Sequence, residues 1–336
     1  MSDQIRIAID AMGGDGGPTV TVPASISYLQ NYPQTEFHLF GDELLINEAL
    51  AKFEIKTLQS KLTIVPCASL VTDDDRPSMT LRVKQDSSMA QAVRAIRDGT
   101  CDACVSAGNT GALMAFGMQN LGTLPCISRP AICGSIPTNK GGYLALDLGA
   151  NLSCAPEQLY QFAVIGALTA RLIKETPEPI IKLLNIGVEN TKGPPAIQTA
   201  AKLMKDDARL NFRGFIEADD LFTTDADVVV CDGWSGNMAL KASEGAANLI
   251  RQILKDQLNR NFVSKFGRYL LLGNNDKFYR KLNPSAYNGA YLLGLKGNIV
   301  KSHGGADCEA FAESINVARL AVLRSLSQKI AVKFKN

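Results

Sequence analysis

The stretch that most constrains this chain is Asp10-Ala11-Met12-Gly13-Gly14-Asp15-Gly16-Gly17-Pro18. It follows Ile5–Ile9, a run with the length and β-branched content of a buried strand, and precedes Thr19–Gln30, which reads as a helix with Thr19 or Thr21 at its cap. The four glycines let the backbone take φ > 0 or come close to a neighbour, which residues with a Cβ do poorly. Strand, glycine turn and helix start together make an anion site, because unpaired N–H groups and the helix dipole converge there. Asp10 and Asp15 would repel a bare anion, so they are expected to hold the loop, a hydroxyl or a cation. The same residues also suit a tight strand–helix turn with no ligand.

The same grammar recurs along the chain. Phe37–Gly41, Leu62–Pro66, Asp102–Ser106, Ile180–Ile186, Phe212–Ile216, Asp227–Cys231 and Ile299–Ser302 read as strands. Between them lie helical segments at 42–53, Met89–Asp98, Ala112–Leu121, Pro156–Lys174, Ala196–Asp206, Met238–Asn259 and a C-terminal helix ending near Lys329. Ala131–Pro137 and Tyr143–Leu148 form a long hairpin suited to a subunit contact, Ser69–Ser88 a polar segment, and Gly289–Gly297 a loop. Such alternation predicts an α/β fold with a mostly parallel sheet and helices on both faces. In that architecture ligands bind at the carboxyl ends of the strands.

Composition narrows the function. A formal net charge of +2 gives no mark of a nucleic-acid binder. No segment approaches the roughly 18 uninterrupted apolar residues of a membrane-spanning helix, and no signal peptide is read at the start. The eight cysteines are scattered; Cys101 and Cys104 form a C-x-x-C on a predicted strand, where their offset places them on opposite faces. Buried, reduced thiols in a cytosolic protein are expected rather than a zinc or thioredoxin-like site. Neither nucleotide-binding glycine pattern is present, nor a G-x-S-x-G elbow.

Several strand ends carry polar residues beside glycine. His303 stands against Gly304-Gly305, where a proton donor or phosphate partner reaches a ligand; His38 sits mid-strand and reads as an ordinary packed or surface histidine. Lys192, in a Gly/Pro-rich loop, suits an oxyanion partner or a solvated charge. Asn109 and Asn237, each beside glycine at a helix start, suit caps or amides that donate to an oxyanion. Residues 260–288 mix Phe262, Phe266, Leu270, Leu271 and Leu272 with Lys265, Arg268, Arg280 and Lys281. That mixture suits a protruding helical hairpin, for a dimer interface or an anionic membrane surface.

Taken together, Ile9–Asp15, Ser106–Leu113, Asp147–Asn151, Leu184–Glu189 with Lys192-Gly193, Asp232-Gly233 with Gly236-Asn237, Leu292–Gly294 and His303-Gly304 resemble the phosphate acyltransferase (PlsX) family over nearly the whole length. The chain departs from the family pattern at Trp234, Asn288 and Gly305-Ala306. The resemblance implies a single domain over residues 1–336 with a Rossmann-like α/β/α sandwich, similar in fold to phosphotransacetylases and isocitrate-type dehydrogenases. It also implies transfer of a fatty acyl group from acyl carrier protein to inorganic phosphate, reversibly, to supply phospholipid synthesis. Phosphate itself attacks, so no Ser or Cys nucleophile is required; no cofactor and no metal-ligating residues are expected.

On that basis Lys192, Asn237, His303 and Asp232 are the expected catalytic residues. Asp10, Gly13, Gly14, Lys84, Ser87, Ser88, Asn109, Thr110, Gly111 and Asn151 are expected around the phosphate or substrate. A homodimer at the inner face of the cell membrane is implied, with acyl carrier protein and a downstream acylglycerol-phosphate-forming acyltransferase as partners. The alternatives are a short-chain phosphotransacetylase acting on acyl-CoA, an NAD-linked dehydrogenase and a non-catalytic membrane or partner-binding protein.

Overall fold

A computed structural model describes residues 4–259 and 287–334 of the chain. The first half builds β1 (Ile5–Asp10), α1 (Pro18–Asn31), β2 (Thr35–Gly41), α2 (Glu43–Leu50), β3 (Leu62–Pro66), α3 (Pro77–Val83), α4 (Ser88–Arg97), β4 (Ala103–Ser106) and α5 (Thr110–Leu121). Then come β5 (Ala131–Ile136), β6 (Tyr143–Leu146), α6 (Pro156–Ile173), β7 (Ile180–Leu184), α7 (Pro195–Asp206), β8 (Asn211–Ile216), β9 (Val228–Val230) and α8 (Gly233–Asn259). After residue 286 follow β10 (Ala290–Leu293), β11 (Asn298–Lys301) and two C-terminal helices, Cys308–Leu323 and Leu326–Lys333. The expected protruding hairpin at 260–288 lies almost wholly outside the described residues.

One sheet runs through the molecule in the order β3-β2-β1-β4-β11-β10-β5-β6-β9-β7-β8. Helices cover both faces, giving an α/β/α sandwich. Ile5, Ile7 and Ile9 of β1 belong to one continuous apolar layer that also takes in residues of α1, α6, α7 and the C-terminal helices. Ala8 of the same strand packs on the other face with α4 and α5, as strand alternation requires. Tyr143, Ala145 and Val229 continue that second face, where Ala239 of α8 covers them. Among the described residues no helix is long and apolar enough to cross a membrane.

The strand directions carry the main surprise. From β3 to β11 every pairing is parallel. The next three contacts, β11–β10, β10–β5 and β5–β6, are all antiparallel, and β6-β9-β7-β8 is parallel again. Three reversals leave the two parallel halves running in opposite directions. The carboxyl ends of β1, β4 and β11 therefore lie at one sheet edge and those of β6, β9 and β7 at the other. A shared carboxyl edge for all the glycine turns, as a simple doubly wound sheet would have, is not what forms.

Other differences have local causes. Gly289–Gly297 is not a loop: Ala290–Leu293 is a central antiparallel strand, and its Tyr291, Leu292 and Leu293 are all buried. A short apolar run buried on both faces lacks the alternation that marks a half-exposed strand. The 69–88 segment contains α3, started by Pro77 at its first position. Helix α1 is capped by Gly17 rather than a threonine, and Thr21 instead donates to the Ala11 and Gly17 carbonyls.

Asp42 does cap α2, accepting from the Leu44 and Leu45 N–H groups. Cys101 lies outside its strand, so alternation does not apply; it shares one buried cluster with Cys104. The β5–β6 strands lie inside the sheet between β10 and β9, which leaves only the tip of that hairpin exposed.

Helix α8 begins at Gly233, five residues earlier than its periodicity suggests, because two glycines let its first turn lie directly on the 147–151 turn. A Cβ on Gly236 would stand 2.0 Å from the Asp147 carbonyl oxygen, and one on Gly233 2.5 Å from that of Asn151. Farther along, Gly245 has nothing within 4 Å of such an atom. Gly236→Ala should therefore cost about 1–3 kcal/mol of stability. Gly245→Ala should add roughly 0.5–1 kcal/mol through helix propensity. Denaturant unfolding of the two variants checks the opposite signs.

Candidate functional site

Three turns at one edge of the sheet touch through their backbones. A Cβ on Gly13 would lie 2.8 Å from both the Gly108 N and Asp10 Oδ2, and one on Gly14 2.7 Å from the Gly304 carbonyl oxygen. The Asp15 N–H donates to that same carbonyl at 3.0 Å. Gly14 and Gly17 also hold φ of 82° and 46°, the left-handed region. The turns after β1, β4 and β11 thus form one backbone cluster.

Asp10 lies beneath it, fully buried. Its Oδ2 accepts from Ser106 Oγ at 2.6 Å, and Ser106 Oγ accepts from the Gly108 N–H at 3.1 Å. Oδ1 has no hydrogen bond of normal geometry. Burial raises the Asp10 pKa, opposed by the Ser106 and Ser88 hydroxyls, the Met12 N–H and the charge of Lys301.

Lys301, the last residue of β11, is the half-buried cation of this cluster. Its Nζ donates to the Ala107 carbonyl at 3.1 Å and to the Ser302 carbonyl. Burial brings its pKa down to about 8, aided by Lys241 and resisted by Asp73, Asp10 and Asp15. Sequence reading missed Lys301; a lysine ending a strand just before a His-Gly turn is the signal that would have found it.

Open donors remain at the starts of both α1 and α5. Pro18 has no N–H, and the Thr19 and Val20 N–H groups donate to the Gly16 and Gly17 carbonyls, so at α1 the open groups lie in the glycine turn itself. The N–H groups of Gly16, Gly17, Thr110 and Gly111 find no acceptor among the described residues. Asn109 caps α5 through the Ala112 N–H and donates to the Thr72, Asp73 and Asp75 carbonyls. Its amide therefore clamps the acidic 72–75 loop over the helix start. Gly111 faces Pro77, 2.7 Å from where a Cβ would be.

Lys84 also serves that loop, pairing with Asp75 at 2.5 Å and donating to the Leu70 carbonyl. The pairing holds Asp75 below the usual carboxylate range. Ser87 caps α4 through the Ala90 N–H, and Ser88 is buried beside Asp10.

At the opposite edge the turn after β6 is organised by Asp147, fully buried. Its carboxylate accepts from the N–H groups of Ile132, Gly149, Ala150 and Asn151 and from the Asn151 amide. Burial raises its pKa while these donors oppose the rise. Asn151 is only 3% exposed and donates also to the Pro130 carbonyl, which makes it an interior brace. Asp232 caps α8, accepting from the Ser235 N–H and hydroxyl. Lys192 is half-exposed and pairs with Glu189 at 3.1 Å. Asn237 lies at the fifth position of α8, against Gly149, and its amide has no partner among the described residues.

Helix α8 joins the two edges. Lys241, one turn beyond Asn237 and on the same helix face, brings Nζ to 3.3 Å from His303 Nε2. One turn advances about 5.4 Å. Asn237 from one edge and the His303–Lys301 cluster of the other therefore face a common space on the α4–α5–α8 side of the sheet. Lys192 and Asn237 follow the neighbouring strands β7 and β9, without direct contact. His38, half-buried in β2, takes no part; burial lowers its pKa.

This architecture is that of a phosphotransacylase-type α/β/α sandwich. The EutD phosphotransacetylase from Staphylococcus aureus superposes with a TM-score of 0.59 at 15% identity, covering 98% of this chain and 95% of its own. A phosphotransacetylase from Streptococcus pyogenes does so with 0.59 at 16%, covering 95% and 94%. These likenesses show the fold. A family model described as "Fatty acid synthesis protein" matches residues 5–329. The phosphate acyltransferase of Nitrosococcus oceani is 44% identical, over 97% of this chain and 96% of its own. That of Legionella pneumophila strain Paris is 45% identical, over 95% and 93%. The chain belongs to the phosphate acyltransferase family.

Lys301 predicts how anion binding varies with pH. Its positive charge is present below about pH 8 and lost above it. The dissociation constant for inorganic phosphate, measured by calorimetry, should rise as pH passes upward through that value. In Lys301→Met the same rise should be missing, with weaker binding throughout.

Proposed function

We propose that this protein transfers a fatty acyl group from acyl-acyl carrier protein to inorganic phosphate, reversibly. A phosphate oxygen attacks the thioester carbonyl carbon, the C–S bond breaks, and the sulfur leaves with a proton as the carrier thiol. The products are acyl phosphate and free carrier, and acyl phosphate is an activated acyl donor for phospholipid synthesis.

One observation carries this reading: α8 sets the Asn237 amide, unpartnered among the described residues, one turn from a solvent-accessible group of Lys241, His303 and the half-buried Lys301. An anion can be held at the cluster while Asn237 polarises a carbonyl beside it. Preorganised donors of this kind stabilise the developing oxyanion without reorganisation. Lys192, from the neighbouring strand end, is the second carbonyl partner, with Asp232 holding α8 in place. Asp10, Gly13, Gly14, Thr110 and Gly111 shape the phosphate side; Asn109, Asn151, Lys84, Ser87 and Ser88 support it as braces of its walls.

The thiols suit direct attack by phosphate better than a cysteine nucleophile. Burial raises the pKa of Cys104, Cys133 and Cys231, and pushes that of Cys101 up to about 12. For the whole molecule we propose a single domain acting as a homodimer in the cytoplasm at the membrane face. The apolar and basic 260–281 segment makes the dimer or membrane contact. Carrier protein delivers the substrate, and an acylglycerol-phosphate-forming acyltransferase uses the product.

The test is thiol release from palmitoyl-acyl carrier protein with and without phosphate, with hydroxylamine trapping of acyl phosphate. Phosphate-dependent release with hydroxamate formation is expected. Lys192→Ala and Asn237→Ala should each lower turnover by ~10²–10³ with folding intact. Parental rates in both folded variants would remove them from the mechanism. Turnover of acetyl-CoA but not of the carrier thioester would establish a short-chain phosphotransacetylase instead.

A further inference from the structure

The His303 ring is held between two groups that can only donate hydrogen bonds. Its position is set from behind: the His303 N–H donates to Asn288 Oδ1 at 2.9 Å. The Asn288 amide in turn donates to Ser302 Oγ, the Ala310 carbonyl and Ser314 Oγ. The Gly305 N–H then points at Nδ1 from 3.1 Å. The Gly305 N–H is fixed by its turn and cannot accept, whereas the Lys241 ammonium stands on a long, exposed side chain; we therefore take Nδ1 as the accepting nitrogen and place the proton of the neutral ring on Nε2.

Nε2–H faces Lys241 Nζ at 3.3 Å, and an ammonium cannot accept either. Two donors are thus aimed at each other with no acceptor between them. Lys241 has a carboxylate partner in Glu244 at 2.8 Å, along the same helix. Lys301 adds a second cation, close enough for Lys241 to lower its pKa. Donor against donor beside a second cation is unfavourable, and an anionic oxygen that accepts from both relieves it.

We propose that Lys241 and the Nε2–H of His303 form a two-donor clamp for a phosphoryl group, with inorganic phosphate as its source. The choice of inorganic phosphate rests on the acyl-transfer reading above; the donor geometry does not. Lys241 is then a binding residue for the attacking substrate. Asn288 and Gly305 are positioning residues that fix the ring and its tautomer.

The chain has only two histidines, so the full-length protein labelled with 15N and 13C in histidine yields two ring systems, and His303→Asn assigns them. Without phosphate, His303 should show the neutral Nε2–H tautomer. Adding inorganic phosphate should move its Nε2 resonance saturably and leave His38 in place. Lys241→Met should raise the phosphate dissociation constant about tenfold or more, as loss of a charged hydrogen bond does, and Lys241→Arg should restore most of it. In turnover the effect should fall on the KM for phosphate rather than on that for the thioester.

An unmoved His303 in protein that makes acyl phosphate would overturn the clamp and leave the reaction standing. A saturable shift in protein that makes no acyl phosphate would keep the clamp and overturn the reaction. A response to 4′-phosphopantetheine but not to inorganic phosphate would overturn the assignment to the attacking phosphate and place the clamp on the thioester substrate.

Discussion

Backbone-to-backbone contact among the turns after β1, β4 and β11 is the constraint on which the candidate site depends. Gly13 and Gly14 stand where any Cβ would collide with Gly108, Ala107 or Gly304, so each turn is located by the other two. Beside the turns lie two charged side chains, Asp10, fully buried, and Lys301, half-buried. Burial acts against both charges, raising one pKa and lowering the other, while each partly supports its opposite. A cation held beside the glycine turns is costly to place and hard to displace. That suits a site that must meet a small, strongly hydrated anion.

The second organising feature is the change of strand direction in mid-sheet. Two parallel halves that run oppositely cannot pool their carboxyl ends at one edge. The fold brings them together with a helix instead. α8 starts at the far edge, seated on the Asp147 turn through Gly233 and Gly236, and delivers Lys241 to His303 at the near edge. Asp147 is central to this arrangement although it is remote from the cations. Its carboxylate gathers four backbone N–H groups and one side-chain amide, and so holds the surface on which α8 begins. An acceptor-only group buried among many donors is satisfied and rigid at once.

Polar residues next to glycine look alike in a sequence and separate in three dimensions. Asn109, Asn151 and Asn237 each stand in a glycine turn or at a helix start. Asn109 is committed to the 72–75 loop and Asn151 to the Asp147 turn, and only the Asn237 amide is left open. Lys84 and Lys192 both pair with nearby carboxylates, Asp75 and Glu189. Lys301 was marked only by its place just before the His303-Gly304 turn, and Lys241 by nothing local, because the groups that give them meaning, Asp10 and Ala107 for the one and His303 for the other, are far away along the chain. Asn288 is a similar case: it reads as a loop residue until its bonds to Ser302, His303, Ala310 and Ser314 are seen.

The sequence by itself determined the element types, the glycine turns, the Asp42 cap and membership of the family. These depend on periodicity, backbone freedom and short-range hydrogen bonding, all of which act within a few residues. Strand polarity across the middle of the sheet, the early start of α8 and the meeting of Lys241 with His303 were decided only by tertiary structure. Each depends on which distant segments pair and how closely their backbones approach. The tautomer of His303 belongs to the same class: one neighbouring N–H orients the proton, and a lysine 62 residues away gives it something to face.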